Sequence, residues 1–192
     1  MSEEKSHPTA LEAPSGDVVS LTLSLVGKLL ARSRQNPRKR MLQKLHKSLD
    51  APAHRMFNAM QPGTYIMPHR HLEPAKDETI LVMAGSMLFI QFTDDGEVAD
   101  QILLQPGTET FGVDVAPHVY HTFVPLKPDT LVFECKTGPY AEESDKNVPD
   151  WAPREGTPEA EEYLLGLLKK LAAKANAEAE AVKAERGDEP DQ

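Results

Sequence analysis

The sequence predicts a mainly β protein, an eight-stranded jelly-roll barrel of two sheets with an N-terminal and a C-terminal helix beside it. Three observations carry that expectation. From His54 to about Lys136 the apolar residues come in short runs of strand length separated by Gly, Pro and Asp, whereas helical spacing is confined to the flanks. The chain holds 16 prolines in 192 residues, which suits a turn-rich fold better than a helical bundle. At 21.2 kDa it can bury one core with extensions, and two full domains are not expected.

Taken in order, residues 1–16 carry Pro8, Pro14 and Gly16 among charges and small residues, and read as a mobile tail. Val18, Leu21, Leu25, Leu29 and Leu30 recur near helical spacing. Val18 to Arg34 is therefore expected to be an amphipathic helix, capped by Asp17 and stopped before Asn36-Pro37. Arg38 to Leu49 follows as a basic segment with the pattern of a second short helix, which takes the N-terminal helical segment over 17–50.

The barrel domain is expected over 51–158. Its strands read as Arg55 to Met60, Thr64 to His71, Glu78 to Ala84, Ser86 to Phe92, Asp100 to Leu104, Thr108 to Val113, Tyr120 to Val124 and Thr130 to Lys136. Pro62-Gly63, Ala84-Gly85, Asp94-Asp95-Gly96, Pro106-Gly107 and Lys127-Pro128-Asp129 supply turns between them. An acidic, proline-rich stretch runs from Ala141 to Pro158, and in it Trp151 is expected to dock on the barrel. Pro158 and Glu159 open a C-terminal helix over 159–186, with Tyr163, Leu164, Leu167, Leu168 and Leu171 as its stripe, and 187–192 reads as disordered.

The net charge of -9 disfavours nucleic acid as a partner of the whole chain, since phosphate neutralisation needs a basic face. The charge is nevertheless uneven, for no Asp or Glu occurs between Val18 and Leu49 while basic residues recur there. That segment suits a small anionic ligand. Cys135, the lone cysteine, cannot form an internal disulfide, which fits a reducing compartment, and it reads as a small buried hydrophobe of a strand. The polar N-terminus lacks the pattern of a signal peptide, and Val18 to Ala31 is too short and too polar to cross a membrane. A cytoplasmic protein without a membrane partner is expected, with a homodimer possible because jelly-roll edges need cover.

The chemistry concentrates in Pro68-His69-Arg70-His71. Side chains two apart on a strand share a face, so His69 and His71 can share an ion while Arg70 points away. Glu78 opens the next strand and His121 lies on a later one, giving three imidazoles and a carboxylate. Such a set suits one divalent ion, with Zn, Fe, Mn, Ni and Co all compatible. Arg38, Arg40 and His46 of the basic segment, with Tyr65, are candidates for holding the carboxylate or phosphate of a substrate.

These residues resemble the cupins. Gly63 through His71 matches the opening of the first cupin motif, a glycine, five residues and His-x-His, and Glu78 with Gly85 matches its close. Between His71 and Glu78 stand six residues where the family usually has three or four, so the loop is expanded and Glu73 or Asp77 are alternative carboxylates. The second motif is represented by Gly112 to His121, with His121 at the third histidine position. His118 replaces the usual glycine of its turn and is expected at the surface.

More narrowly the chain resembles the WbuC-type cupin-fold metalloproteins, through Asn36-Pro37-Arg38 with His46, Met56 to Met60, Phe133 to Tyr140 and Trp151-Ala152-Pro153. That resemblance implies a metal-binding cupin of carbohydrate or polysaccharide metabolism. Three functions stay open at this point. They are isomerisation or epimerisation of a small anionic sugar or nucleotide sugar, an Fe(II)-dependent dioxygenase reaction, and non-catalytic sugar binding or regulation.

Overall fold

The computed structural model describes residues 8–140 and 146–187. The chain divides into two compact units, Met1–Ala152 and Pro153–Gln192. The first unit contains β1 (Ala10–Leu11), α1 (Leu23–Gln35), β2 (Arg40–Lys44), β3 (Ala53–Met60), β4 (Glu78–Ala84), β5 (Met87–Phe92), β6 (Val98–Leu104), β7 (Gly112–Val115), β8 (Tyr120–Pro125) and β9 (Thr130–Thr137). One sheet has the order β1-β2-β3-β9-β4-β7 and the other β6-β5-β8. Every pairing is antiparallel except β1 with β2, and neighbours distant in sequence give the crossovers of a jelly roll. The fold is thus mainly β and built on two sheets, as the sequence predicts.

Two apolar layers follow from strand alternation. Met60, Ile80, Val82 and Val132 of the larger sheet meet Met87, Phe89, Leu104 and Phe123 of the smaller one and form the core between the sheets. Residues of opposite parity, Phe57, Ala59 and Leu131, face outward to Leu29 of α1, with Met41 beside them. Leu29 is fully buried there, a burial worth about 1.5–3 kcal/mol for a side chain of that size.

Helix α1 begins later than the periodicity suggests. Its cap is Thr22, whose Oγ1 accepts from the Leu25 amide at 3.2 Å, and not Asp17. Val18, the first residue of the stripe, is almost fully exposed and Leu21 is exposed as well, so the stripe starts to pack only at Leu25. The basic segment after Pro37 is not helical either. Arg40–Lys44 is a strand because Met41 belongs to the layer under α1 with Leu45 packed against it, a period of two that the lysines and arginines obscure. Ala10 and Leu11, expected in a tail, pair in parallel with Leu42 and Gln43. Residues 1–7 lie outside the described residues.

Thr64 to His71 is also not a ladder strand. It runs between the sheets with bridges at His69 and Arg70 alone, and Pro68 has no amide to donate. The β4–β5 turn requires Gly85, whose φ is +80° and whose missing Cβ would lie 2.4 Å from Thr130 Oγ1. Cys135 is half-buried on β9, more accessible than the small buried hydrophobe expected.

The second unit contains α2 (Pro158–Gly187). Thr157 precedes it, and its Oγ1 donates to Arg154 O at 2.9 Å while the Ala160 amide approaches the hydroxyl at 3.4 Å. Glu159 and Glu161 in the first turn favour the positive end of the helix dipole. The helix runs through Gly187, where a disordered end was expected, and 188–192 lie outside the described residues. No helix is long and apolar enough to cross a membrane among the described residues.

Candidate metal centre

His69, His71, Glu78 and His121 are brought together between the sheets, all buried, with one ligand atom from each within 4.8 Å of the others. Each arrives on a different kind of support. Glu78 is the first residue of β4, and His121 is the second of β8, so the larger sheet contributes the carboxylate and the smaller one an imidazole. His69 is joined to β8 by backbone alone: its amide donates to His121 O at 3.0 Å and the His121 amide donates back at 2.9 Å. The His69 and His121 rings consequently lie 4.7 Å apart, and Phe89 stacks behind His121 at 5.6 Å.

Two tautomers are fixed by carbonyls. His69 Nδ1 lies 3.0 Å from Met67 O, and His121 Nδ1 lies 3.0 Å from Val119 O. A carbonyl only accepts, so each Nδ1 donates and Nε2 is the ring nitrogen left for the site. His121 Nε2 and His71 Nε2 stand 3.3 Å and 3.4 Å from Glu78 Oε2. These separations are long for charge-assisted hydrogen bonds, and Glu78 Oε2 and His121 Nε2 make no hydrogen bond among the described residues. Buried nitrogen and oxygen atoms that converge in this way could hold a divalent cation.

Electrostatics point the same way. Burial alone would raise the Glu78 carboxyl, but the facing rings of His121 and His71, together with Lys136, hold it well below the usual carboxylate range. Burial, then Lys146 and His121, keep His69 well below the usual imidazole range, so its ring is neutral. Ionised carboxylate and neutral imidazoles are the forms that ligate.

The expanded loop leaves Glu78 in place. Leu72 and Ala75 close a small turn within it, Leu72 N donates to Asn147 Oδ1 at 2.9 Å, and Lys76 is buried with Nζ 2.5 Å from Pro139 O. Glu73 and Asp77, the alternative carboxylates, point to solvent.

Of the residues expected to meet substrate, the structure brings one basic side chain inward. Arg40 is buried, and its Nη1 donates to Tyr65 O at 2.7 Å. Tyr65 is buried alongside. His46 is occupied elsewhere: its Nδ1 sits between Arg55 N at 3.2 Å and Arg55 O at 2.9 Å, and its ring stacks on His54 at 4.0 Å. Arg38 is half-buried after the helix, its amide capped by Asn36 Oδ1 at 2.9 Å. Arg70 points away from the site, over the Tyr120 ring at 4.2 Å and 3.0 Å from Asp94. His118 is exposed.

Sequence reasoning passed over the polar half of the larger sheet's inner face. Val132 of β9 is core and alternation continues inward with Glu134 and Lys136, both buried. Asn58 of β3 donates to Glu134 Oε1 at 2.9 Å. Burial, then Glu78, push the Glu134 carboxyl up. The available signal was two charged residues at i, i+2 in a strand whose other parity, Leu131 and Phe133, is apolar.

A family model described as a domain of unknown function, DUF6016, matches residues 21–104, a stretch that includes His69, His71 and Glu78 but not His121. No curated protein matches the chain. Among solved structures the chain is similar to KdgF from Halomonas sp., at 19% identity, 54% of this chain, 82% of that chain and a TM-score of 0.42. It is similar to the capsular polysaccharide assembling protein CapF from Staphylococcus aureus at 18% identity, 56% of this chain, 29% of that chain and a TM-score of 0.47. An oxalate decarboxylase of Bacillus subtilis is similar at 16% identity, 52% of this chain, 25% of that chain and a TM-score of 0.42. These are cupin-fold proteins, and the matched region is a minor part of CapF and of the decarboxylase.

Proposed function

We propose that this chain is a metal-dependent cupin of the WbuC type that acts on a small anionic sugar or nucleotide sugar, by isomerisation or epimerisation, in carbohydrate or polysaccharide metabolism. The observation that carries the reading is the buried convergence of His69, His71, Glu78 and His121, with Glu78 Oε2 and His121 Nε2 making no hydrogen bond among the described residues. A divalent ion held there would polarise a substrate oxygen and stabilise charge developing on it. The protein's own part is to hold the ligands in their binding forms, through the Met67 and Val119 carbonyls, and to exclude bulk water with the aromatic wall at Phe89. Buried Arg40 and Lys136 favour an anionic substrate over a neutral one.

The test combines three measurements on protein purified without chelator. They are metal content, oxygen uptake with candidate substrates, and thermal shift with sugar nucleotides and sugar phosphates. Near-stoichiometric metal, a rise in unfolding temperature with an anionic sugar and no oxygen uptake are expected. Oxygen consumption with bound iron would replace the isomerase with a dioxygenase, and failure to retain any divalent metal would reject the reading.

A further inference from the structure

The segment that follows the expanded site loop in space carries a cation whose placement is set by backbone pairing. Asn147 bridges Arg70 in antiparallel fashion, with Arg70 N to Asn147 O at 3.0 Å and Asn147 N to Arg70 O at 2.9 Å. Residues paired across an antiparallel bridge project to the same side, and their neighbours project to the other. Arg70 points outward over Tyr120, so Lys146 projects to the side of His69 and His71. Lys146 is exposed as a residue, and its ammonium feels Lys136, Glu78, Arg40 and Glu134. Lys136 stands opposite Glu78 in the register of the larger sheet, and Lys146 feels both of them and Arg40, so cations from three separate elements, β2, β9 and the segment at Lys146, lie near the candidate ligands.

We infer that Lys146, with Lys136 and Arg40, forms an oxyanion subsite next to the metal centre, which takes the carboxylate or phosphate group of a ligand whose other oxygens reach the ion. The subsite rests on the metal-dependent reading above and adds to it the part of the ligand recognised and the residues that recognise it. Several features favour an oxyanion. Lysine ammonium and arginine guanidinium are the usual partners of such groups, and their hydrogen bonds to anions are stronger than neutral ones. The polar half of the inner face is bounded by the apolar core at Val132, Val82 and Met60, so the cations are concentrated at one end of the space between the sheets. Lys146 is exposed whereas Arg40 and Lys136 are buried, which puts it on the solvent side of the three.

Inorganic phosphate and succinate serve as probes, each titrated into the purified full chain at ionic strength held constant with chloride, with metal content measured on the same samples. A rise in unfolding temperature with phosphate indicates a phosphate-bearing ligand, and a rise with succinate a carboxylate. Lys146→Met is expected to weaken the responding anion at least about tenfold, as loss of a charge-assisted hydrogen bond does, with metal content unchanged. Lys146→Arg is expected to recover most of that affinity. Lys136→Met tests the buried member, and the accessible Lys146 keeps the test valid if that variant does not fold. Metal-replete protein that responds to neither anion, or Lys146→Met that binds as the parent does, overturns the subsite alone. Protein that retains no metal fails the reading beneath it.

Discussion

Glu78 of β4 and Lys136 of β9 are directly opposed in the register of the larger sheet, one a candidate metal ligand and the other the nearest cross-strand cation. Lys136 is among the groups that offset the burial of Glu78 and hold its carboxyl ionised. Lys136→Met removes that help, so Glu78 takes up its proton at a higher pH. Metal content measured after desalting across an acid titration should show half-release moved up by about one pH unit, equivalent to about 1.4 kcal/mol. An unchanged release profile would remove Lys136 from any role in holding the ligand ionised.

The metal-free protein should lose stability on acidification. Buried His69 and His54 both have folded-state pKa values below the ordinary imidazole value, so between the two values the unfolded chain binds more protons. Their contribution is fully present above about pH 6.5 and is lost as the pH falls below it. Glu78, whose folded pKa is also lowered, adds a loss in the same direction at lower pH. Urea midpoints of chelated protein should therefore fall between about pH 7.5 and about pH 5.5, and a flat or rising trend would contradict the burial described.

Chelation should be reversible and visible in stability. Metal that binds only the folded chain at a hundredfold excess over Kd stabilises it by about 2.7 kcal/mol. Removing it should lower the unfolding temperature, and restoring Zn, Mn, Ni, Co or Fe in turn should rank the ions by the size of the recovery. His69→Ala with His71→Ala should abolish the response, and stoichiometric metal in that double variant would disprove the site.

Trp151 is the anchor of the segment that also holds Asn147. Its Nε1 donates to Asp94 O at 3.0 Å, and its ring meets Phe92 at 5.2 Å and Tyr120 at 6.0 Å. Trp151→Ala should cost about 2–3 kcal/mol in chemical denaturation, below the range for a fully buried aromatic because the side chain is only half-buried. Trp151→Phe should recover part of it.

Gly85→Ala tests the β4–β5 turn. A Cβ there would lie 2.8 Å from Thr130 Cα as well as against its hydroxyl, with φ in the left-handed region. A loss of at least about 1–3 kcal/mol is expected from the denaturation midpoint, and a neutral outcome would mean the turn differs from the one described.

Most of the barrel strands and the grouping of His69, His71, Glu78 and His121 were legible in the sequence for physical reasons that act locally. Thr64 to His71 nevertheless forms only isolated bridges, and the strand expected over Thr108 to Val113 lies at Gly112–Val115. Pro62-Gly63, Ala84-Gly85 and Pro106-Gly107 constrain the backbone over two or three residues, and β4 begins and ends where the sequence predicts, at Glu78 and Ala84. His69 and His71 needed only the two-residue period of extended chain. What was not legible depends on partners far away in the chain. Arg40–Lys44 is a strand because β1 and β3 flank it, and its charges alone read as a helix. Lys136 faces Glu78 because β9 pairs with β4 in one register, and the position of Lys146 is set by the bridge of Asn147 to Arg70. Register is a property of two segments at once, so neither segment announces it.

The paired amides of His69 and His121 have a wider consequence. Because main chain spaces these two positions, their separation does not depend on which side chains stand there. The scaffold and the ligand set are therefore separable in principle: exchange of either histidine for Asp, Glu or Cys would leave both backbone hydrogen bonds available, and the preference for an ion would be set by side chains on a fixed frame. Imidazole supplied from solution would have a shaped vacancy to enter after truncation of either residue, a form of repair open only to sites whose spacing is written in the backbone.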